Sequence, residues 1–130
     1  MDYSSEVRRR FAAPARAGKF PEGASGVVAA AAEDRSLNVW IEFEIQVRDA
    51  VIEAARFRVF GCPHTVAAAD RIAEWLEGRG VGCLDELDMR SVAEQLEVPR
   101  DKLGKLLRIE DAVRACLSQI EWTTAGKGSE

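Results

Sequence analysis

The 130-residue chain has no apolar run near the length of a membrane span, no charged-then-apolar opening in Met1 to Glu6, and no block of lysine and arginine. The first two absences set the expectation of a cytosolic protein with no membrane partner. The third, with a formal charge of -4, argues against a nucleic-acid surface. Arg8, Arg9 and Arg10 form only a short run, and on a helix they fan out around the axis. Cysteine is scarce: Cys62, Cys83 and Cys116 have no Cys-x-x-Cys spacing, which fits neither a disulfide framework nor a zinc ribbon. There is no Gly-rich phosphate loop and no activated-nucleophile arrangement, so hydrolase and nucleotide-binding readings find no support. What is present, 47% hydrophobic and 31% charged residues, suits one globular domain that buries a core without disulfides.

Ser4-Ser5-Glu6 followed by Val7, Arg10 and Phe11 predicts a short amphipathic helix that ends before Pro14, with Tyr3 ahead of it to pack on the body. From Pro14 to Gly26 the chain is a Gly/Pro/Ala-rich loop anchored by Phe20. Val39, Ile41, Phe43, Ile45 and Val47 alternate with polar neighbours and with Trp40, the period of a half-buried strand. Arg48-Asp49-Ala50 is a turn, and Ile52 to Phe60 pairs back antiparallel. A further strand lies in the Gly26 to Ala31 region. The remainder reads as helices: Thr65 to Glu77, stopped by Gly78; a short one from the capping-box pattern of Ser91 and Glu94 to Val98; and a last one opened by Pro99. Leu103, Leu106, Leu107, Val113, Leu117 and Ile120 are its buried stripe, with Cys116 at the edge. The expected fold is therefore α+β, a small antiparallel sheet of about three strands with helices packed on one face. One domain over 1–122 divides into helix and loop (1–26), sheet (27–61) and helices (62–122), with a flexible tail at 123–130.

Cys62 is the chemically informative residue, because the strand runs straight into Gly61-Cys62-Pro63-His64 and Pro63 favours the first helical position. A thiol near a helix N-terminus has its pKa lowered by unpaired backbone N–H groups and the helix dipole, so Cys62 is a candidate thiolate nucleophile or metal ligand. The alternative is a small buried hydrophobe. His64 reads as polar filler on an exposed helix face or as a ligand. Its pairing with Cys62 as a catalytic couple is weak, since residues two apart on a helix do not face each other. Cys83 and Cys116 read as a loop thiol and a core thiol.

In sequence order, Tyr3-Ser4, Val7, Phe11, Pro14 and Gly18, then Glu53, Arg56-Phe57 and Gly61-Cys62, then Glu74-Trp75 and Gly78 carry a resemblance. Val92-Ala93-Glu94, Val98-Pro99, Lys102 and Glu110-Asp111-Ala112 extend it. Together they make the chain resemble the IscU-type iron-sulfur scaffold family, equivalently the NifU N-terminal domain. The resemblance implies a non-enzymatic assembly component that receives sulfur from a cysteine desulfurase and carries a labile iron-sulfur cluster, iron or zinc. Family members use three cysteines, an aspartate shortly after the first and a histidine just before the last. Here Cys62 matches the second cysteine, and Ala32-Glu33-Asp34 keeps only the aspartate. Gly104-Lys105 replaces the final His-Cys pair.

The implied site is Cys62 as sulfur acceptor, with Asp34 and Lys105 for a cofactor and Cys62, Asp34 and His64 for a metal. That set is incomplete for a cluster, which takes about four protein ligands, and is compatible with no metal at all. A Lys105 ammonium near Cys62 would favour a thiolate over an incoming cation. Asp34 has an alternative use as a turn cap, and Lys105 as part of a solvated face with Lys102. Val98-Pro99-Arg100-Asp101-Lys102 departs from the family's Leu-Pro-Pro-Val-Lys stretch, which puts an Hsp70-type chaperone partner in doubt. Tyr3 is a candidate contact for a homodimer. A ligand-less regulatory module that binds the desulfurase or another partner is the alternative function.

Overall fold

The computed structural model describes residues 3–128, with side chains described for 3–120. The elements follow the order α1 (Ser5–Ala12), β1 (Val27–Asp34), β2 (Val39–Arg48), β3 (Val51–Phe60), α2 (Pro63–Leu76), α3 (Met89–Gln95) and α4 (Leu103–Gly128), with short 3₁₀ turns at Cys83–Glu86 and Arg100–Lys102. The sheet is antiparallel in the order β1-β2-β3. α4 lies across β1 and β2, α2 packs on β3, and α1 packs on α2. This is the α+β arrangement the alternation implied.

β2 is the centre of the sheet because its inward positions Val39, Ile41, Phe43 and Ile45 are all large, apolar and buried. Ile41, Phe43 and Ile45 share one core with Ile72 and Leu76 of α2 and with Leu106, Ile109, Val113 and Leu117 of α4. The β2–β3 connection places Asp49 and Ala50 at φ 54 and 62, the left-handed conformation that two-residue hairpin turns require. Ala50 has no glycine-like freedom there; the N–H of Val81 holds its carbonyl at 3.0 Å. The 14–26 loop pairs with β3 at Phe57, whose N–H donates to the Arg16 carbonyl at 3.1 Å and whose carbonyl accepts the Gly18 N–H at 2.8 Å. Phe20 donates its N–H to Glu44 at 2.8 Å and lies under the Arg56 guanidinium at 5.1 Å. Gly26 closes that loop onto β2 at φ +74, where a Cβ would sit 2.6 Å from the Val47 carbonyl oxygen.

Several boundaries differ from those the sequence implied. β1 runs to Asp34, because backbone pairing with β2 carries an alanine tract that shows no alternation of its own. α3 starts earlier, since Asp88 rather than Ser91 is the N-cap and accepts the N–H groups of Arg90 and Ser91 at 3.1 and 3.2 Å. A short aspartate one turn upstream outcompetes the capping-box pattern. α4 is helical through Gly128 and so continues past the point where composition put its end; Ser129 and Glu130 lie outside the described residues. Cys83 is buried in a 3₁₀ turn, and Cys116 is fully buried rather than at the stripe's edge.

Candidate functional site

The strand-to-helix junction is built as the sequence implied. β3 ends at Phe60, Cys62 is the N-cap of α2, and Pro63 occupies the first helical turn. The Cys62 carbonyl accepts the N–H groups of Thr65 and Val66 at 2.9 and 3.1 Å, which starts the helix. Gly61 fits closely against the next turn, for a Cβ there would lie 3.2 Å from the Thr65 Cβ. That approach sets the Cys62 Sγ 3.5 Å from the Thr65 hydroxyl. Burial opposes ionisation of the half-buried thiol. The Thr65 hydroxyl and N–H, the Lys102 ammonium and the His64 N–H together outweigh burial and draw the thiol below its ordinary value.

His64, two residues on, is not surface filler: only 1% of it is exposed. The Tyr3 ring meets it edge-on at 4.8 Å, so a residue from the far end of the chain covers it. Neither ring nitrogen has a hydrogen-bond partner. Burial, helped by Lys102 and Lys105 and opposed by Asp101, holds the imidazole below the usual histidine value, so it is neutral at pH 7. Of the two lysines, Lys102 acts on both Cys62 and His64 and Lys105 on His64.

Asp34 ends β1 at the same end of the molecule, and the turn it opens touches the start of α4, where a Cβ on Gly104 would lie 3.2 Å from Leu37. Its carboxylate is engaged within its own turn, accepting the Ser36 hydroxyl at 2.6 Å and the Leu37 N–H at 3.2 Å. The Ser36 hydroxyl, above all, draws it below the usual carboxylate range. No hydrogen bond or ion pair joins Asp34 to Cys62, His64 or Lys105 among the described residues. Nor do any three His, Cys, Asp or Glu side chains among them lie together so as to hold a metal ion. Cys62, Asp34 and His64 are thus not gathered into a three-ligand set.

Thr65 and Lys102 are the site residues that sequence reasoning passed over as partners of the thiol. The available signal was spacing, for an N-cap side chain meets the residue three positions on. The other two thiols are unlike Cys62. Burial pushes Cys83 up, and pushes Cys116, whose thiol donates to the Phe43 carbonyl at 3.4 Å, to about 12. Beside the junction, Phe60 is 76% exposed and its ring lies tilted at 49° to that of Trp40, 5.7 Å away.

The fold and junction define a small α+β domain that places one half-buried thiol, that of Cys62, where a strand meets a helix. The NifU-like N terminal domain family model matches residues 2–125, and the chain belongs to that family. It is 27% identical over 122 residues to the iron-sulfur cluster assembly scaffold protein IscU of Escherichia coli strain K12, covering 93% of this chain and 95% of that one. It is 26% identical over 121 residues to iron sulfur cluster assembly protein 1 of Trachipleistophora hominis, covering 93% and 88%. Its fold matches the crystal structure of a NifU-like N-terminal protein from Brucella abortus with a TM-score of 0.75 at 18% identity, covering 91% and 93%. A scaffold protein for the SUF system from Fervidobacterium islandicum AW-1 matches with a TM-score of 0.71 at 15% identity, covering 88% and 96%. No helix among the described residues is long and apolar enough to cross a membrane.

Proposed function

We propose that this chain is an iron-sulfur cluster assembly component that works through Cys62 as a carrier of one sulfur atom, supplied by a cysteine desulfurase. The observation that carries this reading is the thiol itself. It belongs to the N-cap residue of α2, lies 3.5 Å from the Thr65 hydroxyl and feels the Lys102 charge, and no three His, Cys, Asp or Glu side chains among the described residues gather to hold a metal ion. Such surroundings favour an anion on sulfur and disfavour an approaching cation. In the transfer, the Cys62 thiolate attacks the outer sulfur of the donor's persulfide. A new S–S bond forms on Cys62, the donor's S–S bond breaks, and the donor leaves as a thiolate. The chain is then a stoichiometric carrier rather than a catalyst.

The exposed Phe60 next to Cys62 favours a second reading, an interaction module that binds the desulfurase or another partner without holding sulfur. Anaerobic native mass spectrometry after incubation with a desulfurase, cysteine and ferrous iron separates the two. Wild type is expected to gain one sulfur per chain and Cys62→Ser none. Sulfur loading that survives Cys62→Ser would overturn the carrier reading. Sulfur together with iron on a dimer would replace it with a cluster scaffold whose ligands come from two chains, and a desulfurase complex without any adduct would leave the interaction module.

A further inference from the structure

We infer that β1 is a pairing edge for a second copy of this chain: two β1 strands meet antiparallel across a two-fold axis at Ala30 and join the two sheets into one.

A three-stranded sheet has two outer edges, and local chain closes the one along β3. There Phe57 exchanges both backbone bonds with Arg16 and Gly18, at 3.1 and 2.8 Å, and Ile52 exchanges both with Arg79 and Gly78, at 2.8 and 2.7 Å. β1 is the other edge. Its ladder with β2 runs over the whole strand with no bulge. Two bonds fix which backbone groups point where. The Gly26 carbonyl, just before the strand, accepts the Val47 N–H of β2 at 2.8 Å, so the even-numbered residues face β2. The Ala29 carbonyl accepts the Gln119 side chain at 2.9 Å, so the odd-numbered ones face away. Val27, Ala29, Ala31 and Glu33 therefore present their N–H and C=O groups outward. Among the described residues, the Gln119 amide is the one group that bonds any of them. The usual guards of an edge strand are missing, for β1 has no proline, lysine or arginine, and Val27 to Ala32 are uncharged.

A second β1 fits this edge in hydrogen bonding, in charge and in the space beside it. With Ala30 opposite its own copy, Ala29 faces Ala31 of the second copy and Val27 faces Glu33, so outward N–H and C=O groups meet along the whole strand. The same register sets Glu33 and Asp34 of each chain beside Val27 and Gly26 of the other. Their carboxylates lie at opposite ends, whereas parallel pairing would stack Glu33 on Glu33. α4 passes the level of the axis at Cys116, whose thiol bonds the carbonyl of Phe43, the β2 partner of Ala30. The residues flanking that point, Ala115 and Ser118, are small and exposed, and Ala115 lies one turn before Gln119 on the side that reaches the edge. A second α4 can therefore run close beside the first.

The pairing does not depend on how Cys62 is used. Cys62 follows β3 at the Asp34 end of the sheet, so the two-fold sends the two thiols to opposite ends of the joined sheet. A cluster shared between two copies of Cys62 would need a different dimer.

Sedimentation equilibrium of the full chain under reducing conditions, from low micromolar to near-millimolar concentration, tests this together with amide exchange followed by NMR. Wild type is expected to dimerise, as is Cys62→Ser. The Ala29 and Ala31 amides should gain protection as the dimer forms, while those of Ala30 and Ala32 are protected throughout. Ala31→Pro removes one outward N–H per chain and spares the ladder with β2, so it is expected to weaken the dimer at least about tenfold, the effect of two symmetry-related bonds lost. Ala115→Arg, which brings like charges together where the two α4 helices pass, is expected to weaken it by about as much and decides the matter if Ala31→Pro does not fold. A wild type that stays monomeric throughout would overturn the pairing and leave the edge to an extended segment of another protein. A dimer that Ala115→Arg and a folded Ala31→Pro leave intact, or one that adds no protection at Ala29 and Ala31, would overturn it as well.

Discussion

Asp70→Ala is expected to cost about 1–3 kcal/mol of folding stability, because it takes a buried acceptor from the Arg10 guanidinium and from the Arg16 N–H. Arg10 and Asp70 are 5% and 2% exposed, and the Arg10 Nη1 donates to Asp70 at 2.7 Å. The other Asp70 oxygen accepts the Arg16 N–H at 3.1 Å. Around this pair, Arg10 also reaches Glu6 at 2.9 Å and Glu74 at 3.3 Å, while Arg16 and Arg56 share Glu77 at 2.9 and 3.4 Å. The network fastens α1, the following loop and β3 to the polar flank of α2. Removing Asp70 leaves Arg10 with Glu6 and Glu74 but deprives its Nη1 and the Arg16 N–H of their acceptor in a region closed to water. Removing both charges together, as in Arg10→Met with Asp70→Leu, is expected to stay within about 1 kcal/mol of wild type, since the desolvation cost disappears with the attraction. Urea unfolding of the three proteins decides the matter; a loss below about 1 kcal/mol for Asp70→Ala would mean that water already screens Arg10. The same variant is expected to raise the alkylation rate of Cys62, because loosening α1 also loosens Tyr3, just ahead of it, whose ring covers His64.

How much of this was legible depends on the range of the forces involved. The β2 and β3 patterns are local, and strict alternation at Val39 to Val47 with a turn at Asp49-Ala50 was enough to place the hairpin. Pro63 after Gly61-Cys62 likewise announced the helix start and put the thiol at its N-cap. β1 was read only faintly, because alanines carry no alternation and the strand exists through its register with β2. The three arginines do fan out as foreseen, with Arg10 turned inward while Arg8 and Arg9 are exposed. Nothing in the sequence, however, signals that Asp70 waits 60 residues away. His64 was misjudged for the same reason. A histidine in a first helical turn after proline reads as solvated, whereas here the ring of Tyr3, just ahead of α1, meets it edge-on. Lys105 was singled out as the cation near the thiol, yet it is Lys102 whose charge acts on Cys62.

His64 is therefore where the fold and the site pull against each other. A buried ring with two unpartnered nitrogens is destabilising, and His64→Leu is expected to raise stability by about 1–3 kcal/mol at neutral pH, the cost of leaving a buried polar group unsatisfied. The gain is expected to grow in acid. The folded-state value lies below the ordinary 6.5, so as pH falls the unfolded chain takes up the proton first. Wild-type stability from this group is complete above about 6.5 and is lost as the pH drops through that value toward the lower folded-state one. His64→Leu has no such proton to bind, and the gap between the two proteins should widen between about pH 7 and pH 5. Urea midpoints measured across that range test the sign directly. A variant less stable than wild type, or a gap that does not widen in acid, would mean that the ring nitrogens are satisfied in solution.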